Sequence, residues 1–216
     1  MPFFLFSRLY DTIVPMNSFL TFINHNAFDI PLYLSILLLG ITLVIQVSDP
    51  KILEKHVKRI FLYSTGLIVA YFIYIGYLQY RAFQTDLMVS VLGTTSGLKW
   101  FFGYVQTHYW NDYLISFPVA VLFVLLGNFF NKKYHERFFE HNEIYLAALG
   151  ILLVGYPGFL FYLFLVLFAP LIASLLFVKR GERLALYYFW IPIALILVFS
   201  IEFLLTNYEW WLAFRF

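Results

Sequence analysis

The chain has 216 residues, of which 62% are hydrophobic and 12% charged, and its mean hydropathy is +0.82. Because soluble domains carry about 25% charged residues, this composition excludes an ordinary soluble domain and predicts an all-α, polytopic integral membrane protein. The formal net charge of +2 gives no basic surface for a nucleic acid, and the lack of cysteine excludes disulfides, thiolate nucleophiles and cysteine-ligated metals.

The first 80 residues predict a surface segment followed by two membrane spans. Residues 1–29 begin with apolar MPFFLF but soon include Arg8, Asp11 and Pro15, so they lack a signal-peptide core and are expected to lie at the membrane interface. The first span covers 30–47, with Pro31 in its first turn, where proline costs no hydrogen bond. The second span covers 60–80 and is rich in tyrosine.

Residues 81–112 are too polar to cross lipid unaided, because they include Asp86, Lys99 and the cluster Gly93-Thr94-Thr95-Ser96-Gly97. We expect a non-cytoplasmic or partly re-entrant loop with two short interfacial helices, in which Trp100 and Trp110 mark headgroup depth. Ser96 lacks the Gly-x-Ser-Gly pattern of rhomboid proteases and has no deep histidine as a base. A flexible hydroxyl-rich turn is the favoured interpretation.

The rest of the chain predicts four further spans, at 113–130, 138–155, 158–178 and 186–206. The fourth and fifth come from the uncharged run Ile144–Val178, whose 35 residues would form a helix of about 50 Å across a hydrocarbon core of about 30 Å. Tyr156-Pro157-Gly158 is the expected break, which would make a helical hairpin at 156–158. The chain then forms a single domain of about six transmembrane helices, with the lipid bilayer as its partner.

The distribution of basic residues favours six spans. With a turn at Pro157, the connections 48–59, 131–143 and 179–183 share one side and hold ten of the fourteen Lys and Arg residues, leaving four elsewhere. If 144–178 were one span, the division would be eight against six. The positive-inside rule therefore predicts six spans in a cell membrane, with both termini on the non-cytoplasmic side.

Ionisable residues at the start of the fourth span are the first candidates for chemistry. Glu140, His141 and Glu143 would lie at the cytoplasmic interface, where buried carboxylates are often functional. Acidic residues at a helix start are also ordinary dipole partners, and Asn142 or Asn131 can cap the helix. His135 and His141 lack the spacing of a helical zinc site, so no metal or other cofactor is predicted. Glu202, near the end of the last span, is expected to snorkel to the outer interface.

The segment Asn142–Gly150 (NEIYLAALG), followed by a Pro-Gly turn, a basic loop and the Pro-containing span around Pro192, resembles the C-terminal half of type IV prepilin peptidases over about 138–200. In that family the segment looks like Gly-x-Gly-Asp-x-Lys-Leu followed by Ala-Ala-Leu-Gly. Aligned on Ala147–Gly150, the catalytic aspartate falls on Asn142. The resemblance implies an aspartyl peptidase fold, and Asp49 and Glu143 are the nearest cytoplasmic substitutes for its paired carboxyl groups.

We therefore expect a non-enzymatic assembly or scaffold component, in the form of a degenerate prepilin-peptidase-like protein that associates with other membrane subunits. A channel or small-molecule transporter is the second hypothesis, although the spans contain few polar residues and no visible repeat. An active intramembrane aspartyl peptidase that uses Asp49 and Glu143 is the third.

Overall fold

The computed structural model describes residues 30–84, 94–134, 139–177 and 186–205. These ranges contain α-helices, two π-helical turns and no strand, which confirms the all-α class. The predicted interfacial segment 1–29 lies outside the described residues. The helices are α1 (Ile30–Ser48), α2 (Pro50–Gln84), α3 (Thr94–Val105), α4 (Asn111–Lys133), α5 (His141–Val154), α6 (Gly158–Phe177) and α7 (Tyr187–Ser200).

A single residue, Asp49, separates α1 from α2. Its carboxylate Oδ1 accepts the Ile52 backbone N–H at 3.1 Å, and Pro50 occupies the first turn of α2. Both features are typical of a helix start. The connection expected at 48–59 is thus almost entirely helical, and the expected span 60–80 is the middle of a helix of 35 residues. The helix extends over this connection because the cations occupy one exposed helix face while Leu53 and Val57 are buried on the other.

The region 81–112 is also helical wherever it is described. Residues 81–84 extend α2, and α3 continues through a π-helical turn, Gln106–Trp110, into α4. Trp110 packs against Gly76, since a Cβ there would lie 3.0 Å from the indole Cζ2, and the Tyr80 and Phe101 rings are 5.7 Å apart. These contacts hold α3 and the π-helical turn against the last part of α2. In this region the sequence predicted a loop with two short helices.

The break in the long apolar run is confirmed. Helix α5 ends at Val154 and α6 begins at Gly158, with Gly155 at a φ of 72°. This left-handed conformation suits glycine, which has no Cβ to clash. Gly158 serves packing, because a Cβ at this position would overlap the Ile201 side chain.

Helix α5 is the centre of the bundle. It packs against α2, α4, α6 and α7, and its apolar residues from Ile144 to Leu153 are buried on every side. Such all-round burial marks a helix that faces neither water nor lipid. With 14 residues it is only about 21 Å long.

Several helix termini meet at each end of the bundle. At one end of the bundle, hereafter the polar end, α1 and α4 finish while α2, α5 and α7 begin, as side-chain bonds between these termini show. At the opposite end, the Tyr156 N–H donates to the Asp112 carbonyl at 2.9 Å.

Four helical stretches are long and apolar enough to cross a membrane: Ile30–Ser48, Pro50–Arg81, Asn111–Lys133 and Gly158–Leu176. Asn142–Val154 and Tyr187–Phe203 are apolar but shorter. Length and composition therefore support membrane embedding with four candidate spans and do not by themselves establish six.

Candidate functional site

Buried polar side chains collect at the polar end, where five helix termini meet. Gln46, in the last turn of α1, is 1% exposed, and its Nε2 donates to the Tyr187 carbonyl at 2.6 Å. This bond joins residues that are 141 positions apart in the chain. Because an unpaired amide in an apolar interior is costly, the bond fixes the end of α1 against the start of α7.

Glu143 lies in the first turn of α5 and is 4% exposed. Its Oε2 accepts the Glu140 backbone N–H at 3.1 Å, and the Tyr187 backbone also hydrogen-bonds to the carboxylate. Glu140 is the N-cap residue, with extended backbone geometry. A carboxylate in the first turn also interacts favourably with the helix dipole. The bond to Glu140 belongs to the α5 start, and the bond to Tyr187 joins α5 to α7.

Asn131 closes the connection between α4 and α5. Its Nδ2 donates to the Phe139 carbonyl at 2.6 Å, and its Oδ1 accepts the Phe139 N–H at 3.2 Å. The asparagine is buried, and its two bonds satisfy the partly buried backbone N–H and C=O of Phe139. Asn131 therefore holds the chain before α5 and does not cap the helix itself, a position that Glu140 takes.

Two polar atoms of this cluster have no hydrogen-bond partner within the described part of the chain: Gln46 Oε1 and Tyr187 Oη. One is an acceptor, and the other is a hydroxyl that can donate and accept. The buried Glu143 carboxylate accepts bonds from two backbone groups, and the Gln46 amide donates to a third, so the cluster links the ends of α1, α5 and α7.

The two candidate catalytic carboxyls lie in different environments. Asp49 is exposed and caps α2, whereas Glu143 is buried and serves α5. Each has a backbone partner of its own, and their use as a catalytic pair stays a prediction.

The other sequence candidates are distributed elsewhere. Glu140 is exposed at the α5 start, and Glu202 is half-buried in the π-helical turn Ile201–Leu205. His135 and Glu136 fall outside the described residues, and the side chains of Ser96 and His141 are not described. Within the described ranges, no group of three His, Asp or Glu side chains could hold a metal ion.

Sequence reasoning missed Gln46 and Tyr187. Gln46 is an amide inside the apolar stretch 30–47, and a polar residue at membrane depth is a signal for an interhelical bond. Its partner is a backbone carbonyl, which leaves no trace in the sequence.

Comparison with protein-family models, curated proteins and solved structures finds no match to this chain.

Proposed function

We propose that the chain is a six-span protein of the cell membrane that acts as a non-catalytic assembly or scaffold subunit. The observation that carries this proposal is the filled bundle axis. Channels and carriers need polar groups or water along their path, but the axis of this bundle is α5, whose apolar side chains are almost fully excluded from solvent.

The residues just before and just after α5 are both hydrogen-bonded to α4, which supports a membrane crossing by this short helix. Phe139 is bonded to Asn131, and Tyr156 is bonded to Asp112. These two anchor residues are 19 positions apart on one helix, a rise of about 28 Å, close to the hydrocarbon thickness of about 30 Å. The short helix and its flanking residues thus cover the same depth as α4.

The charge distribution supports a cytoplasmic polar end. Ten of the fourteen Lys and Arg residues belong to connections at this end in the six-span arrangement, and both termini are then non-cytoplasmic. The lack of cysteine makes this testable by single-cysteine labelling. Ser48→Cys and Phe216→Cys variants are treated with a membrane-impermeant maleimide on intact cells and on inverted vesicles.

Six spans require Phe216→Cys to react on intact cells and Ser48→Cys to react only in inverted vesicles. If both cysteines react from the same side, the number of spans between them is even and the proposed topology is wrong.

The alternatives make different predictions. A peptidase needs two carboxyls that share a proton, whereas Asp49 caps α2 and Glu143 accepts the N–H of the N-cap residue Glu140 at the start of α5. We expect Glu143→Gln and Asp49→Asn proteins to restore a deletion strain fully and to leave a prepilin-like substrate uncleaved, as the wild type does. If the wild type cleaves the substrate and either variant is folded but does not, the chain is an aspartyl peptidase.

The scaffold role is tested by measuring the cellular abundance of partner subunits. A membrane subunit that copurifies in fixed stoichiometry should lose abundance in the deletion strain and regain it with the Glu143→Gln variant. Solute flux through liposomes that contain the purified chain alone would instead support the transporter hypothesis.

A further inference from the structure

Helix α2 has an outer face that begins with cations and continues with apolar residues. Lys51, Lys55, Lys58 and Arg59 are all exposed within the first three turns. Their spacing of three and four residues puts them on one side of the helix, opposite the buried face. That buried face packs into the bundle core through Leu53, Val57, Phe61 and Ile68.

The same side continues as an apolar strip. Leu62, Val69 and Ile73 follow at helical spacing and are 56%, 43% and 67% exposed. Between them lies Gly66, where no atom would come within 4 Å of an added Cβ, so the strip contains a shallow notch. From Leu62 to Ile73 the helix rises about 16 Å, which matches one leaflet of a hydrocarbon core of about 30 Å.

The charges along this face favour the binding of an anion. The helix start adds partial positive charge, and arginine can bind a phosphate through two parallel N–H groups. Of the nearby acidic residues, Asp49 caps α2, and Glu54 is exposed on the flank of this face, within electrostatic range of Tyr187 on α7, so the four cations outnumber them. Because the helix is unbroken from Pro50 to Gln84, the cations stand directly above the apolar strip.

We propose that this outer face of α2 binds an anionic phospholipid. The headgroup phosphate contacts Lys51, Lys55, Lys58 and Arg59, and an acyl chain lies along Leu62, Val69 and Ile73 over the notch at Gly66. The inference rests on membrane embedding of α2 and is independent of the scaffold role.

The test measures lipids retained by the purified full-length chain, using native mass spectrometry after reconstitution in vesicles of phosphatidylcholine with phosphatidylglycerol. We expect the K51Q/K55Q/K58Q/R59Q variant to retain phosphatidylglycerol at least about tenfold less than wild type, since juxtamembrane cations each contribute to anionic-lipid binding. The G66L variant keeps every charge but fills the notch, and should also lose retention. The K132Q/K133Q variant removes exposed cations from the end of α4 and should retain the lipid as the wild type does.

An equal loss in the K132Q/K133Q variant would overturn the proposal in favour of a diffuse surface potential. Unchanged retention in G66L would overturn the acyl-chain contact. Displacement of the lipid by millimolar inorganic phosphate would show that the face is only an anion site. Circular dichroism of each variant confirms that a lost lipid does not reflect a lost fold.

Discussion

Replacing Gly150 with alanine should destabilise the protein by overpacking the centre of the bundle. Gly150 lies on α5, and a Cβ at this position would overlap the phenol of Tyr162 on α6. Tyr162 is fully buried, and its ring centroid lies 6.1 Å from that of Trp190, so it cannot swing away into open space. The added methyl group must therefore displace packed side chains or push α5 and α6 apart.

The size of the effect follows from comparison with Gly40, on α1, where an added Cβ would meet no atom within 4 Å. Glycine to alanine in an open helix position stabilises by about 0.5–1 kcal/mol. That gain is common to both sites, so the difference between the two variants isolates the cost of overlap. Overpacking costs about 1–3 kcal/mol, and we expect the free energy of unfolding of Gly150→Ala to lie lower than that of Gly40→Ala by this amount.

The assay is reversible unfolding of the purified protein in mild detergent by added dodecyl sulfate, followed by helical circular dichroism. A second substitution identifies the contact. Tyr162→Phe removes only the hydroxyl and leaves ring carbon Cε1, which would lie 2.7 Å from the new Cβ, so Gly150→Ala should remain destabilising in that background. Tyr162→Leu removes the ring, and the effect of Gly150→Ala should then approach that of Gly40→Ala, a coupling of about 1–3 kcal/mol.

Equal unfolding free energies for Gly150→Ala and Gly40→Ala would refute the proposed contact between α5 and α6. So would an unchanged penalty in the Tyr162→Leu background, because the overlap would then lie with some other group.

Three further substitutions test the polar end with the same unfolding assay. Asn131→Ala removes both bonds to Phe139 and should lower the free energy of unfolding by about 1–3 kcal/mol, because the partly buried Phe139 backbone groups lose their partners. Glu143→Gln keeps an oxygen for the Glu140 N–H and should cost less than Glu143→Leu, which has no acceptor; equal losses would contradict the capping role. Asp49→Ala should cost about 1 kcal/mol through loss of the α2 cap while Asp49→Ser costs little, and identical stability of the two variants would show that the cap contributes nothing.

The apolar windows of the sequence predicted where membrane helices lie better than where they begin. Residues 60–80 were expected as a span, and the helix that contains them begins ten residues earlier, at Pro50. Hydropathy averages over all sides of a helix, so the cations of 51–59 concealed the buried residues Leu53 and Val57 between them. The break at 156–158 was predictable because proline and glycine act locally on the backbone.

The candidate site was predictable only in its local part. Glu143 sits at a helix start, and the sequence-local rules for capping apply to it directly. The bond from Gln46 to the Tyr187 carbonyl depends on how α1 and α7 meet, and any residue at position 187 would supply the same carbonyl. Long-range contacts of this kind depend on how the other helices pack around α5, and the sequence of one segment does not specify that packing.

The burial of α5 explains why polar residues gather at its ends. A helix that faces lipid can extend until its terminal N–H and C=O groups reach the headgroups, but α5 is enclosed by its neighbours and is only 14 residues long. Its first N–H groups must therefore find partners inside the protein, and the Glu140–Glu143 pair and the Asn131–Phe139 bonds order that end of the segment. At the other end, Gly155 turns the chain so that Tyr156 can bond to Asp112. Asn131 and Asp112 both belong to α4, so we expect α5 to be stable only when α4 lies beside it. The central helix is thus expected to join the bundle as a unit with α4, and the variants at Asn131 should loosen α5 before they unfold the remaining helices.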